Sequence, residues 1–457
     1  MQTLRNAARF HKRADHLVTT AFFEEMGMTI QLQSPIAAID AIEILDSRGL
    51  PTLKAQVVLQ SGVRGAAAVP SGASTGSNEA VELRDGDPQR YFGKGVRKAI
   101  SHVQGEIAQA LAGCNALDQQ AIDARLIALD GTANKARLGA NALLAVSMAV
   151  ARAAAAERDV PLYRSMEDSQ ARLLPMPMFN VLNGGLHAQS SRMDFQEFML
   201  VPIGAPSFTE AVRYAAETFN ALRLLLQAAG HSVAVGDEGG FAPKLSNGNA
   251  AACELIVRAI ERAGYRPGVD LAIALDPAAT SFYQDGEYRL TRSGNQRLNA
   301  EQLIDLYAEW VSAYPIVSIE DGLAEDDWGG FAQMTRRLGQ TIQIVGDDNF
   351  VTNIRYIHRG IEGHTANAAL IKLNQIGTVS ETVEAVRLCQ KAGWGTVISH
   401  RSGETEDPVI ADFAVAVGAG QMKSGSLSRS ERLAKYNRLL EIDAELGQDA
   451  EFVNPYR

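Results

Sequence analysis

The second half of the chain carries short apolar stretches that each close on a charged or polar residue. LAIALD ends at Asp276, IVSIE ends at Glu320, IQIVGDD holds Asp347 and Asp348, AALIKLN holds Lys372, and GTVISHR delivers His400 and Arg401. Near-continuous Val, Ile and Leu without polar alternation predicts parallel strands buried on both faces. The last four stretches recur at about 25–28 residues, close to the ~30 of one strand-plus-helix unit in an eightfold barrel. In that fold the carboxyl ends of the strands converge on one face, where chemistry is done. Three carboxylates and a lysine are therefore predicted to meet although they lie far apart in the chain. FTEAVRYAAETFNALRLLLQAAG and AACELIVRAIERAGY read as amphipathic helices between such strands, the second ending at a glycine.

The pattern differs from Ile36 onward. AIDAIEILDSRGLPTLKAQVVLQSGVRGAAAV gives alternating or apolar runs broken at Ser47–Pro51 and Ser61–Gly62, which predicts three antiparallel strands. KGVRKAISHVQGEIAQALAG has helical spacing, and LGANALLAVSMAVARAAAAERD is rich in alanine, the best helix former. Strands followed by helices predict an α+β domain over 34–168, and the alternation after it predicts a (β/α)8 barrel over 169–457. Residues 1–33 fit neither unit. Arg5, Arg9, Lys12 and Arg13 make them basic, but Asp15, Glu24 and Glu25 spoil a transit peptide and no unbroken apolar stretch makes a signal peptide. They read as an extension, with Met26 and Met28 as alternative starts.

Composition narrows the class. The 457 residues are 46% hydrophobic and 21% charged, as in globular proteins, and no run of 18 or more apolar residues predicts a membrane span. A net charge of −10 argues against direct nucleic-acid binding as the main function. Cys114, Cys253 and Cys389 are scattered and form no CxxC pair, which suits small buried side chains in a reducing cytoplasm.

Asp276, Glu320 and Asp347 would repel one another unless a cation joined them. With oxygen ligands only, a hard ion is expected, and Mg²⁺ fits because it leaves room for water and substrate. Any one of these acids alone would read as a solvated group or a helix cap; three at successive strand ends followed by a lysine carry the metal reading. Lys372 lies in an apolar strand, where burial and nearby cations favour the neutral amine that can act as a base. Lys423, in GQMKSGS, is a second cation. Glu238, in VAVGDEGGFAP, is flanked by glycines that admit a close ligand, and Glu197 and His187 follow apolar segments, although turns are the bland reading of NGG and GDEGG. HRSGE reads as an anion clamp in which Arg401 holds a phosphate bidentately and Ser402 donates as well. SGASTG lacks the GKS/T of a P-loop and reads by default as a Gly/Ser loop. Together these groups suit removal of a proton next to a carboxylate. A lysine base with one or two Mg²⁺ ions is the known pattern of the enolase superfamily.

The chain resembles the enolase family from about Ile42 to Leu440. DSRGLPT, PSGASTGSNEA, ELRDGD, NVLNGGLHA, QEFM, VGDEGGFAP, SIEDGL, GDD, IKLNQIGT, ISHRSGETED and QMKSGSLSRSER occur in the family's order. The resemblance implies an N-terminal α+β domain and a barrel whose first units depart from strict βα alternation. It implies reversible dehydration of 2-phospho-D-glycerate to phosphoenolpyruvate with two Mg²⁺ ions, the second arriving with substrate. Asp276, Glu320 and Asp347 match the ligands of the tighter ion, and Ser74 a ligand of the second. Lys372 matches the C2 base and Glu238 the acid for the C3 hydroxyl, with Glu197 beside it. Gln196 matches a substrate contact, Arg401 and Ser402 the phosphate clamp with Ser399 and His400 adjoining, Lys423 a carboxylate-side cation, and His187 a residue of a closing loop. A homodimer or larger homo-oligomer in the cytoplasm is implied by the family alone. Two other readings remain: a superfamily dehydratase or racemase acting on another acid, opposed by the clamp in HRSGE, and a secondary binding or scaffold role at a cell surface or in an RNA-processing assembly. For the surface role a C-terminal lysine would be favoured, and the chain ends in Arg457.

Overall fold

The computed structural model describes residues 33–72, 75–166, 170–188 and 191–456. The expectations for residues 1–32 and for Ser74 lie outside them. Three antiparallel strands come first: β1 (Ile36–Leu45), β2 (Pro51–Leu59) and β3 (Arg64–Ala68). Leu53, Ala55, Val57 and Leu59 alternate along β2 and are buried against the Ala140–Arg158 helix. Small residues allow that approach: a Cβ on Gly65 of β3 would lie 2.2 Å from the Ala149 carbonyl oxygen. This helix is the one described segment long and apolar enough to cross a membrane, yet 83% of its most apolar window is buried inside the protein. A core helix satisfies the same length test. An earlier helical stretch, 97–111, is continuous but passes through a π turn at Val103–Ile107.

Eight further strands close into a barrel: β4 (Met176–Asn183), β5 (Glu197–Val201), β6 (Ala272–Asp276), β7 (Ile316–Glu320), β8 (Gln343–Gly346), β9 (Ala368–Ile371), β10 (Gly395–Ser399) and β11 (Gly420–Lys423). From β6 round to β4 every pairing is parallel, whereas β5 runs antiparallel to both β4 and β6. The departure from βα alternation is thus one reversed strand. It follows that β5 presents its first residue, Glu197, at the rim where the other strands present their last. Glu197 sits directly across from Asp276 in register. Lys372 stands one residue beyond β9, as the cap of a short helix, Leu373–Ile376, rather than inside the strand.

The barrel interior is apolar, filled by Met176, Met178, Met199, Val201, Ala274, Val345, Ala368, Leu370 and Val397. Its amino end is sealed by polar pairs and by the C-terminal tail. Gln343 and Gln421 exchange bonds of 2.8 and 3.0 Å, and the Tyr456 hydroxyl donates to Gln421 at 2.7 Å. The N-terminal unit lies over the opposite, functional end. Ser71 and Gly403 exchange backbone bonds of 2.7 and 2.8 Å, which fastens Ser71 to the HRSGE loop. Buried Asp123 accepts from the Ser380 amide at 2.9 Å and hydroxyl at 2.7 Å, fastening the two units at a second point.

Candidate active site

Seven titratable groups converge at the barrel mouth. Asp276, Glu320 and Lys423 close β6, β7 and β11, Asp347 and Lys372 follow β8 and β9, His400 follows β10, and Glu197 opens β5. The Lys423 ammonium is 2.7 Å from Glu320, 3.2 Å from Asp276 and 3.3 Å from Glu197, and all four residues are at most 4% exposed. Burial, then the Asp276 charge, holds the Glu320 carboxyl well above the usual carboxylate range. Burial raises Asp276 as well. Burial also opposes the charge on Asp347, yet the Lys372 ammonium at 2.5 Å and the Gln375 amide at 2.9 Å hold that carboxyl low.

These residues fit a hard divalent cation. Glu197, Glu238, Asp276, Glu320 and Asp347 outnumber Lys372 and Lys423, and the ligand atoms of Asp276, Glu320 and Asp347 are all oxygen. The buried Oε1 of Gln196 receives no hydrogen bond, and the Oε2 of Glu320 has only the Lys423 ammonium beside it. A buried acceptor without a donor is costly, and a cation satisfies it. Among the described residues, Asp321, Asp347 and Asp348 bring carboxylate oxygens within 4.8 Å of one another, as do ligand atoms of His187, Glu197 and Glu238. The Lys423 ammonium stands between Asp276 and Glu320, while Asp347 turns toward Lys372. Asp321, missed in the sequence, accepts from the amides of Asp347 at 2.8 Å and Asp348 at 3.0 Å, so it shapes the turn that presents Asp347. Its signal was the second acid of IEDG.

Lys372 departs from expectation in one respect. Burial pulls its pKa down, but the adjacent Asp347 carboxylate outweighs burial and the repulsion from Arg401 and Lys423, and the net direction is upward. The neutral amine expected from burial therefore requires that Asp347 be neutralised.

Across the mouth, Glu238 sits on a loop pressed against β4: a Cβ on Gly240 would fall 2.8 Å from Asn183 Oδ1. Asn180 Nδ2 donates to Glu238 at 3.0 Å, and ring nitrogens of His187 and His400 each lie 3.6 Å away. Burial, then the Glu238 charge, pushes the Glu197 carboxyl up to about 8, so it is mainly protonated at neutral pH and is hydrogen-bonded to Glu238. Burial lowers both His187 and His400, His400 strongly, and keeps them neutral. Arg432 donates to His400 Nδ1 at 2.6 Å, so the His400 proton is on Nε2, facing Glu238.

Arg401 is buried beside this pair of walls. It donates to Glu79 at 3.0 and 3.1 Å and to Asn374 at 2.9 Å. Arg432, fully buried, donates to the carbonyls of Arg401 at 2.5 Å, Ser402 at 2.6 Å and Asp237 at 3.1 Å, tying the clamp loop to the Glu238 loop. The Ser399 hydroxyl lines the mouth but donates to the His400 carbonyl at 2.9 Å, and Arg48 reaches the Ser402 hydroxyl at 3.5 Å. Gln196 and His187 line the same cavity. Glu79, Asn374, Gln375 and Arg432 were not singled out from the sequence. Each acts through another side chain, and only contact reveals it.

A barrel with carboxylates, a buried lysine and a protonated carboxyl at one mouth defines an acid–base lyase assisted by a divalent metal. Two family models divide the chain: "Enolase, N-terminal domain" matches residues 36–166 and "Enolase, C-terminal TIM barrel domain" matches 171–455. "Enolase 1" of Methylococcus capsulatus is 60% identical over 421 residues, which is 92% of this chain and all of that protein. The chain belongs to the enolase family. Its reaction is the reversible dehydration of 2-phospho-D-glycerate to phosphoenolpyruvate.

Proposed function

We propose that Lys372 takes the C2 proton of 2-phosphoglycerate and that Glu238 protonates the departing C3 hydroxyl, with Glu197 beside it. The C2–H bond breaks toward the Lys372 amine and its electron pair moves into the carboxylate as an enediolate. That pair then forms the C2–C3 double bond while the C3–O bond breaks and water leaves. With Asp347 neutralised, burial and the neighbouring cations both favour the free Lys372 amine that the first step needs. Asp276, Glu320 and Asp347 would hold one Mg²⁺, and Ser74 would belong to the site of a second. Bound there, the ions stabilise the second negative charge that develops on the substrate carboxylate. Lys423 adds a fixed positive charge on that side. Arg401 and Ser402 hold the phosphate, with Ser399 and His400 shaping the loop, Gln196 contacts substrate, and His187 closes over it.

The observation that carries this reading is the placement of Lys372 and of the Glu197–Glu238 pair on opposite walls of one buried, carboxylate-rich mouth. The experiment is growth of phosphoenolpyruvate absorbance on adding 2-phosphoglycerate, with Mg²⁺ and then with EDTA. Rapid formation that EDTA abolishes and Mg²⁺ restores is expected. Turnover undiminished after complete metal removal would overturn the assignment of the carboxylates.

The same reading extends to organisation: an α+β unit over 34–168, a barrel unit over 169–457, and a cytoplasmic homo-oligomer. Ile42 and Leu45, near the end of the edge strand β1, are 57% and 56% exposed, which supports a partner at that edge of the sheet, and the three cysteines are unpaired, which supports a reducing compartment. Light scattering that returned a monomer mass at working concentration would remove the oligomer.

A further inference from the structure

The clamp arginine has a carboxylate that the mechanism does not use. The Glu79 side chain is 9% exposed, and its two oxygens face the Arg401 guanidinium as a fork, at 3.0 Å from Nη1 and 3.1 Å from Nη2. The same Oε1 accepts from the Gly76 amide at 3.1 Å and from Gln375 Nε2 at 3.3 Å. Gln375 in turn donates to Asp347 Oδ1 at 2.9 Å. One carboxylate therefore joins the end of the SGASTG segment, the Arg401 clamp and the residue beside the lysine base. The two residues before Glu79 are pinned as well: the Ser77 hydroxyl donates to Glu325 at 2.6 Å, and the Tyr356 hydroxyl donates to Asn78 at 3.0 Å.

We propose that Glu79 is a positioning residue for the phosphate clamp, fixing the plane of the Arg401 guanidinium and linking it to the Gly76 amide. This rests on the assignment of Arg401 as the clamp. A long arginine side chain has many rotamers, and a planar two-point carboxylate fork selects one of them. A buried guanidinium also needs a counterion to stay buried. Glu79 supplies both. Because it also accepts from the Gly76 amide, the positions of Gly76 and Arg401 are tied to one carboxylate.

The sign of the effect separates this role from its opposite. A carboxylate that merely competed with the substrate phosphate for Arg401 would weaken binding, and its removal would tighten it. A positioning carboxylate strengthens binding, and its removal loosens it. In the Mg²⁺-loaded full-length protein, Glu79→Gln should raise KM for 2-phosphoglycerate about tenfold and weaken inhibition by inorganic phosphate about tenfold, the loss of one charge-assisted bond, while kcat changes less. Glu79→Asp keeps the charge but draws it back by one methylene, and it should give a smaller rise. It also serves as the variant if Glu79→Gln does not fold. A fall or no change in KM and phosphate inhibition in a folded Glu79 variant overturns the inference. Arg401→Lys runs in parallel. If it leaves KM and phosphate inhibition unchanged, the clamp assignment falls and the Glu79 inference falls with it. If Arg401→Lys weakens both but the Glu79 variants do not, Glu79 alone is misassigned.

Discussion

Two zones of the same eight strands are equally buried and chemically opposite. Inside the barrel, Val345, Ala368, Leu370 and Val397 pack on methionines and make no polar contact. At the mouth, Asp276, Glu320, Asp347 and Lys423 are almost as inaccessible but carry charge. The interior gains stability from every methyl it excludes from water. The mouth loses stability, because burial pushes Asp276 and Glu320 toward the neutral form and one ammonium serves three carboxylates. The difference teaches that the mouth is built for the charge that arrives during turnover, at the expense of the empty fold.

Variants that exchange the character of the two zones test this. Lys372→Ala should have the largest effect, a loss of about 10²–10⁴-fold in turnover, with exchange of the C2 proton abolished and metal still bound. Retained exchange, followed by deuterium loss from C2, would sink the base assignment. Glu238→Gln should slow dehydration much more than C2 exchange. Equal losses in both would count against a separate acid. Glu320→Gln should remove most activity while leaving the metal-free fold as stable or more stable by about 0.5–2 kcal/mol, since it relieves a buried charge. A lower midpoint in urea without metal would contradict the view that the mouth destabilises the fold. The smallest effect on catalysis belongs to Val397→Ala, which should cost about 1–3 kcal/mol of stability through the cavity it leaves, with kcat and KM near wild type at room temperature. A large change in kcat would mean that the two zones are mechanically coupled.

Much of the site was legible because parallel strands make simple strings. Asp276, Glu320, Asp347, Lys372 and Lys423 could each be read as a polar residue at the end of an apolar run. Glu197 was read as following an apolar segment, whereas β5 is reversed and Glu197 opens the strand. Glu79, Asn374 and Arg432 were not legible. Their roles lie in which neighbour they hold, and pairs such as Glu79 and Arg401, 322 residues apart, carry no local pattern.

The sequence by itself determined the class of fold, the family and the inventory of reacting groups, because hydrophobic period and motif order are properties of the string. Only the tertiary structure decided the state of those groups. It placed Asp347 against Lys372 and so raised the lysine that burial alone would lower, and it set Glu197 beside Glu238 and so lodged a proton between them. Charge interactions depend on distance and dielectric, and neither exists until the chain has folded.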